Sequence, residues 1–145
     1  MFRRRRFFAG SADHGGESAV GDIAWFEPGG NHMDEDSWAN GYARSMMVFL
    51  NGQTIPEPDT RGQQTLDDHF LVIFNGHHDP LPFVLPGKEY GDRWVTELDT
   101  SAQEVEAKEY KPDAKITAQG RSVVVLRCPR VLPSGSPAGA ALARR

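Results

Sequence analysis

Short apolar runs recur along this chain, each too brief for an ordinary helix and each cut off by turn chemistry. Phe70-Leu71-Val72-Ile73-Phe74 stops at Asn75-Gly76, the run 45–50 stops at Asn51-Gly52, and Phe83-Val84-Leu85 stops at Pro86. Residues 94, 96 and 98 (Trp, Thr, Leu) alternate with Val95 and Glu97, the period of two that puts one face of a strand into a core. The runs 70–74 and 123–126 are apolar on both faces, which places them at the centre of a sheet or beneath a neighbouring domain. Strands are therefore expected at 22–26, 45–50, 70–75, 81–85, 93–98, 115–119 and 122–127, with a weaker one at 104–107. Almost no helical periodicity lies between them, so the expected class is mainly β, an antiparallel β-sandwich rather than alternating strands and helices.

The sandwich is expected over 45–128, preceded by an irregular segment at 22–44. In that segment Pro28-Gly29-Gly30 makes a turn, and one helical turn at 33–38 carries Asp34, Glu35 and Asp36 at the end of the helix dipole that favours negative charge. Residues 1–21 pass from arginine-rich to small and polar and are expected to be a flexible tether; 129–145 lacks apolar pattern and is expected to be a disordered tail. The loop 51–68, stiffened by Pro56 and Pro58, is long enough to suggest a functional or interfacial role.

With 145 residues the chain supports one domain with a real core, but not a barrel of about 250 residues. A formal charge of -4 gives no overall reason to bind nucleic acid or anionic lipid, and a neutral or sugar-like partner fits better. No apolar run reaches the ~20 residues of a membrane span. The single cysteine, Cys128, cannot form an internal disulfide, so a reducing, cytoplasmic setting is expected.

Candidate chemistry is sparse. His77-His78-Asp79 offers metal-ligand types, but neighbours on a strand point to opposite faces, and only a tight turn would aim both imidazoles at one ion. Without a second histidine pair or a cysteine at ligand spacing, a polar hairpin loop and no metal are expected. Asp67-Asp68 and the acidic run 34–36 show none of the enclosure that a glycosidase carboxylate pair requires, so Asp67-Asp68 reads as a loop end satisfying backbone N–H groups. No catalytic residue and no cofactor are expected. Arg3 to Arg6, flanked by Phe2, Phe7 and Phe8, reads as the end of an element that packs elsewhere rather than as a nucleic-acid contact. Trp94 is expected in the core, whereas Trp25 and Trp38 suit an interface, or a sugar contact as the alternative.

Taken in order, Phe2-Arg-Arg-Arg-Arg-Phe-Phe, Asp22-Ile-Ala-Trp-Phe, Pro28-Gly-Gly, Met33, Trp38, Val48-Phe-Leu-Asn-Gly, Asp67-Asp-His-Phe-Leu, Phe74-Asn-Gly-His-His-Asp-Pro, Phe83-Val-Leu-Pro and Arg121-Ser-Val-Val-Val-Leu resemble the C-terminal part of isoamylase-type glycogen-debranching enzymes of the α-amylase superfamily. The departures fall at turns and caps: Gly29-Gly30 for the usual Asp-Gly, Asp34 for a threonine, Ser37 before Trp38, and Gly76 for an alanine. The resemblance implies a parent with an N-terminal sandwich, a catalytic β/α barrel and a C-terminal sandwich, which hydrolyses α-1,6 branch linkages with an aspartate nucleophile and a glutamate acid/base on barrel strands. No barrel motif is found here, so the implied role is an accessory domain, inactive alone, that meets glycogen or a branched α-glucan through its parent or through a separately encoded barrel. It further implies that 1–21 is what remains of the barrel-to-sandwich linker and that 22–44 packs near the barrel. Phe7, Phe8, Trp25 and Trp38 are then the expected barrel-interface or sugar-contact residues. The rival expectation is a free-standing carbohydrate-binding or protein-interaction module, which would bury those aromatics within the chain.

Overall fold

A computed structural model of the chain describes residues 20–40, 44–55 and 58–130. Residues 1–19 of the expected tether, Phe7 and Phe8 among them, the tail beyond Arg130 and Pro56 lie outside them, whereas Val20 at the tether's end packs against the core. Eight strands and one short helix follow in the order β1 (Ile23–Phe26), α1 (Glu35–Ala39), β2 (Ser45–Leu50), β3 (His69–Asn75), β4 (Leu81–Val84), β5 (Trp94–Asp99), β6 (Glu109–Tyr110), β7 (Lys115–Ala118) and β8 (Ser122–Cys128). All pairings are antiparallel. Six strands form one sheet in the order β1-β2-β3-β8-β5-β6, and β4 and β7 form a second. The mainly β antiparallel sandwich expected from the sequence is what the structure shows.

The strands with apolar residues on both faces, β3 and β8, are the two central strands of the large sheet, in register from His69↔Cys128 to Asn75↔Ser122. Alternate residues of the large sheet point inward to meet Phe83, Leu85, Ile116 and Ala118 from the small-sheet side, and together they form the core. Met47, Phe49, Leu71, Ile73, Trp94 and Leu126 are each 0% exposed. Phe49 stands edge-on to Tyr90 and to Trp94, with ring centroids 5.1 and 6.3 Å apart, arrangements that aromatic quadrupoles favour. Cys128 is buried beside Gly91 and Trp94; a side chain at Gly91 would meet Trp94 Cζ2 at 2.8 Å and Cys128 Sγ at 3.1 Å.

The N-terminal segment joins this sheet directly. Through Ile23↔Leu50 and Phe26↔Met47, β1 forms its edge, and Phe26 enters the core at 1% exposure. The helical turn forms at Glu35–Ala39 because Asp34 caps it, accepting the Ser37 N–H at 2.8 Å, with Glu35 and Asp36 in the first turn. That hydrogen bond, with a second from the Ser37 hydroxyl, holds the Asp34 carboxyl below its ordinary pKa.

Two local expectations differ from the structure. Residues 104–107 are not a strand; they are exposed, and the strand beside β5 is Glu109–Tyr110, where Tyr110 packs against the core. Leu98 does not share the buried face of Trp94 and Thr96. On β8, Leu126 and Val125 are successive partners of Thr96 and Leu98, so Glu97 is an extra residue, a β-bulge that breaks the alternation. Leu98 is consequently 45% exposed.

Candidate functional site

The bulge, together with the two-faced apolar strands, gives the large sheet an apolar outer surface. Residues that alternate with the core set point outward: Trp25 on β1, Met46 and Val48 on β2, Val72 and Phe74 on β3, and Val123 and Val125 on β8. The bulge adds Leu98 on β5 to this side, opposite Val125. Trp25, Phe74 and Leu98 are 36%, 41% and 45% exposed, while Val48 and Val125 between them are buried. Contiguous apolar surface on a sheet face is the usual mark of a partner.

Charged and polar groups bound this surface at both ends. At one end Arg127 donates to Glu97 Oε2 at 2.9 Å and to Asp68 Oδ2 at 3.0 Å. Asp68 also accepts the Arg130 N–H at 2.7 Å. Burial pushes the Asp68 carboxyl up, but the Arg130 and Arg127 hydrogen bonds outweigh it and hold the group below its ordinary value. A general acid requires the opposite shift. Asp67 accepts the Asp68 N–H at 2.8 Å, so the pair satisfies backbone groups as the sequence suggested. An apolar centre with an ion-paired rim is the anatomy of an interface.

At the other end lies an open cavity of about 380 Å³, lined by Glu27, Ser37, Arg44 and His77 among others. The Ser37 hydroxyl, whose one proton is shared between Asp34 Oδ1 at 2.7 Å and Glu27 Oε1 at 2.5 Å, ties α1 to the turn after β1. Its neighbour Trp38 is 52% exposed and meets Trp25 edge-on, with ring centroids 5.4 Å apart. The structure thus brings Trp25 and Trp38 together at the border of the apolar face; Phe7 and Phe8 lie outside the described residues.

Beside the cavity, residues 77–79 form a tight bend whose backbone is held by Asn75. That side chain, 1% exposed, has its two amide N–H donors shared among three carbonyls, those of Asp79 (2.9 Å), Ala118 (3.1 Å) and Gln119 (3.0 Å). It also accepts from the His77 N–H at 3.0 Å and the Ser45 hydroxyl at 2.9 Å. The bend supplies the one geometry under which the sequence allowed His77, His78 and Asp79 to share an ion; among the described residues it is the group that could hold a metal.

The cavity and the Asn75 clamp are not evident from sequence spacing, because their members come from segments far apart in the chain. Part of the outer face was signalled by the apolar runs of β3 and β8.

At the far end of β3, His69 Nδ1 accepts the Gly52 N–H at 3.1 Å, which requires an unprotonated nitrogen. Burial depresses the ring's pKa below its ordinary 6.5, against the opposing charge of Asp68. The unfolded chain therefore binds this proton more readily. The resulting stability is present above the unfolded pKa of ~6.5 and declines as pH falls through it toward the folded value. Denaturation midpoints measured between about pH 7.5 and 5 are expected to fall with pH, and to fall less in His69→Gln, whose amide oxygen keeps an acceptor.

Two layers of antiparallel sheet, no enclosed carboxylate pair among the described residues, and one apolar outer face make up a β-sandwich domain. The family model described as "Isoamylase, C-terminal" matches residues 22–132. This chain belongs to that family. It is similar to the "Glycogen operon protein GlgX homolog" of Mycobacterium bovis and of Mycobacterium tuberculosis, at 46% identity over 101 residues. That match covers 70% of this chain and 14% of each relative. No helix among the described residues is long and apolar enough to cross a membrane.

Proposed function

We propose that this chain serves as the C-terminal accessory domain of a cytoplasmic glycogen-debranching enzyme, seated through the outer face of its large sheet against the catalytic barrel. The barrel belongs either to the same parent or to a separately encoded partner. The observation that carries the reading is the apolar surface from Trp25 across Val72 and Phe74 to Leu98, rimmed by Arg127 and its carboxylates. Domain-to-domain burial gives such a surface a purpose that a solvated sheet face lacks. Residues 22–44 then belong to the barrel-facing side, because they place Trp25 and Trp38 at its border.

The hydrolysis of α-1,6 linkages falls to the barrel, and the accessory domain contributes by stabilising it and flanking its glucan groove. Retaining hydrolysis requires two facing carboxylates, one kept protonated by its surroundings. Asp68, with its lowered pKa and its bonds to Arg127 and Arg130, is not the protonated acid of such a pair. The chain alone is therefore expected to release no reducing ends from glycogen or a branched maltodextrin, checked by a reducing-end assay beside titration calorimetry on the same samples. Hydrolysis by the chain alone would overturn the reading. Tight glucan binding by the chain alone would favour a free-standing carbohydrate-binding module instead.

A further inference from the structure

We propose that the bend at residues 77–79 binds one divalent cation of the borderline class, with zinc as its representative, through His77, His78 and Asp79. The inference goes beyond the accessory-domain reading and stands on this chain's own geometry.

One nitrogen from each imidazole and a carboxylate oxygen all lie within 4.8 Å of one another. His78 Nε2 is 3.1 Å and His77 Nδ1 3.9 Å from the same oxygen, Asp79 Oδ2. The two rings stack with centroids 4.3 Å apart and 28° between their planes, so both imidazoles project to one side of the bend. Tetrahedral ligands about 2.1 Å from a zinc ion stand roughly 3.4 Å from one another, within the range these atoms already span. Small side-chain rotations close the set.

Two imidazoles and one carboxylate suit zinc, nickel or copper, whereas magnesium and calcium select sets made of oxygen alone. Three protein ligands leave the remaining coordination to water. The side chains of His77, His78 and Asp79 are 42%, 64% and 66% exposed, so an ion reaches them directly from solvent.

The backbone beneath the ligands is fixed independently of any ion. Asn75 accepts the His77 N–H and donates to the Asp79 carbonyl, and the Arg121 N–H donates to the His77 carbonyl at 2.8 Å. Gly120 lies so close that a side chain there would stand 2.0 Å from the His78 carbonyl oxygen. Binding therefore orders three side chains rather than a loop, which lowers its entropic cost. The bond that gives way is the one from the Asp79 N–H to His77 Nδ1, already long at 3.2 Å.

The test is calorimetric titration of the full 145-residue chain with zinc, and with magnesium as comparison, joined to histidine side-chain NMR spectra of the same unaltered chain. One saturable zinc event is expected, with the His77 and His78 resonances shifted, those of His32 and His69 unmoved, and no response to magnesium. His78→Ala and Asp79→Asn alter exposed side chains and are each expected to weaken zinc binding about tenfold or more. The absence of saturable zinc binding, zinc binding that leaves the His77 and His78 resonances in place, or undiminished binding in His78→Ala would overturn the proposal.

Discussion

Asn75→Ala is expected to lower folding stability by about 3–5 kcal/mol, a large effect for one side chain. Three carbonyls, those of Asp79, Ala118 and Gln119, lose their shared amide donor, and the His77 N–H and Ser45 hydroxyl lose their acceptor. The site is buried between the end of β3, the start of β2 and the β7–β8 turn, so water cannot replace these bonds without opening the sandwich edge. Asn75→Asp keeps the acceptor but removes the donor and buries a charge, and is expected to destabilise as well. Denaturant midpoints of the two variants check both statements. A loss below about 1 kcal/mol in Asn75→Ala would mean that the three carbonyls find other partners.

The second large effect concerns association rather than folding. Trp25→Ala and Phe74→Asp alter side chains that are 36% and 41% exposed, so each is expected to change the folding stability of the chain by no more than about 1 kcal/mol. On a surface buried against a catalytic barrel, the same changes remove an aromatic anchor or bury an unpaired charge. Each is then expected to cost about 2 kcal/mol or more of domain association, roughly a thirtyfold weakening. The comparison is made in a chimera of the mycobacterial relative in which this chain replaces the matched segment, and is read as separation of its thermal transitions. An equal effect on the chain alone and on the chimera would assign the two residues to internal packing instead.

What the sequence conveyed and what it withheld follow from how local each feature is. The strands were readable because turn residues such as Asn51-Gly52 and Asn75-Gly76 bound apolar runs of strand length, and pairing left those runs in place. The central position of β3 and β8 was readable from apolar residues on both faces. Leu98 was misplaced because a bulge is a property of two strands together, and nothing in β5 alone announces that Glu97 lacks a partner. Its side chain is instead held by Arg127, thirty residues along the chain. Residues 104–107 carry alternation without a neighbour to receive it, and the chain pairs two residues further on, where Tyr110 reaches the core.

The site divides in the same way. Trp25 and Trp38 could be assigned to a surface because large amphipathic rings in an irregular segment suit one, and they do meet. The Asp34 cap starts α1 at Glu35, and Trp38 on that helix meets Trp25 of β1. The gathering of His77, His78 and Asp79 was withheld because it depends on Asn75, Gly120 and Arg121 acting together on one bend. One side chain at the end of β3 and the backbone of the β7–β8 turn set that geometry, and no spacing within one element encodes it.

The measurement that tests the central claim most directly is the release of reducing ends from a branched α-glucan by the same chimera, beside this chain alone and the relative without its matched segment. The account predicts a soluble chimera that releases reducing ends from the branched α-glucan, while neither the chain alone nor the shortened relative does so. Hydrolysis by the chain alone, or full activity of the shortened relative without any accessory domain, would contradict it.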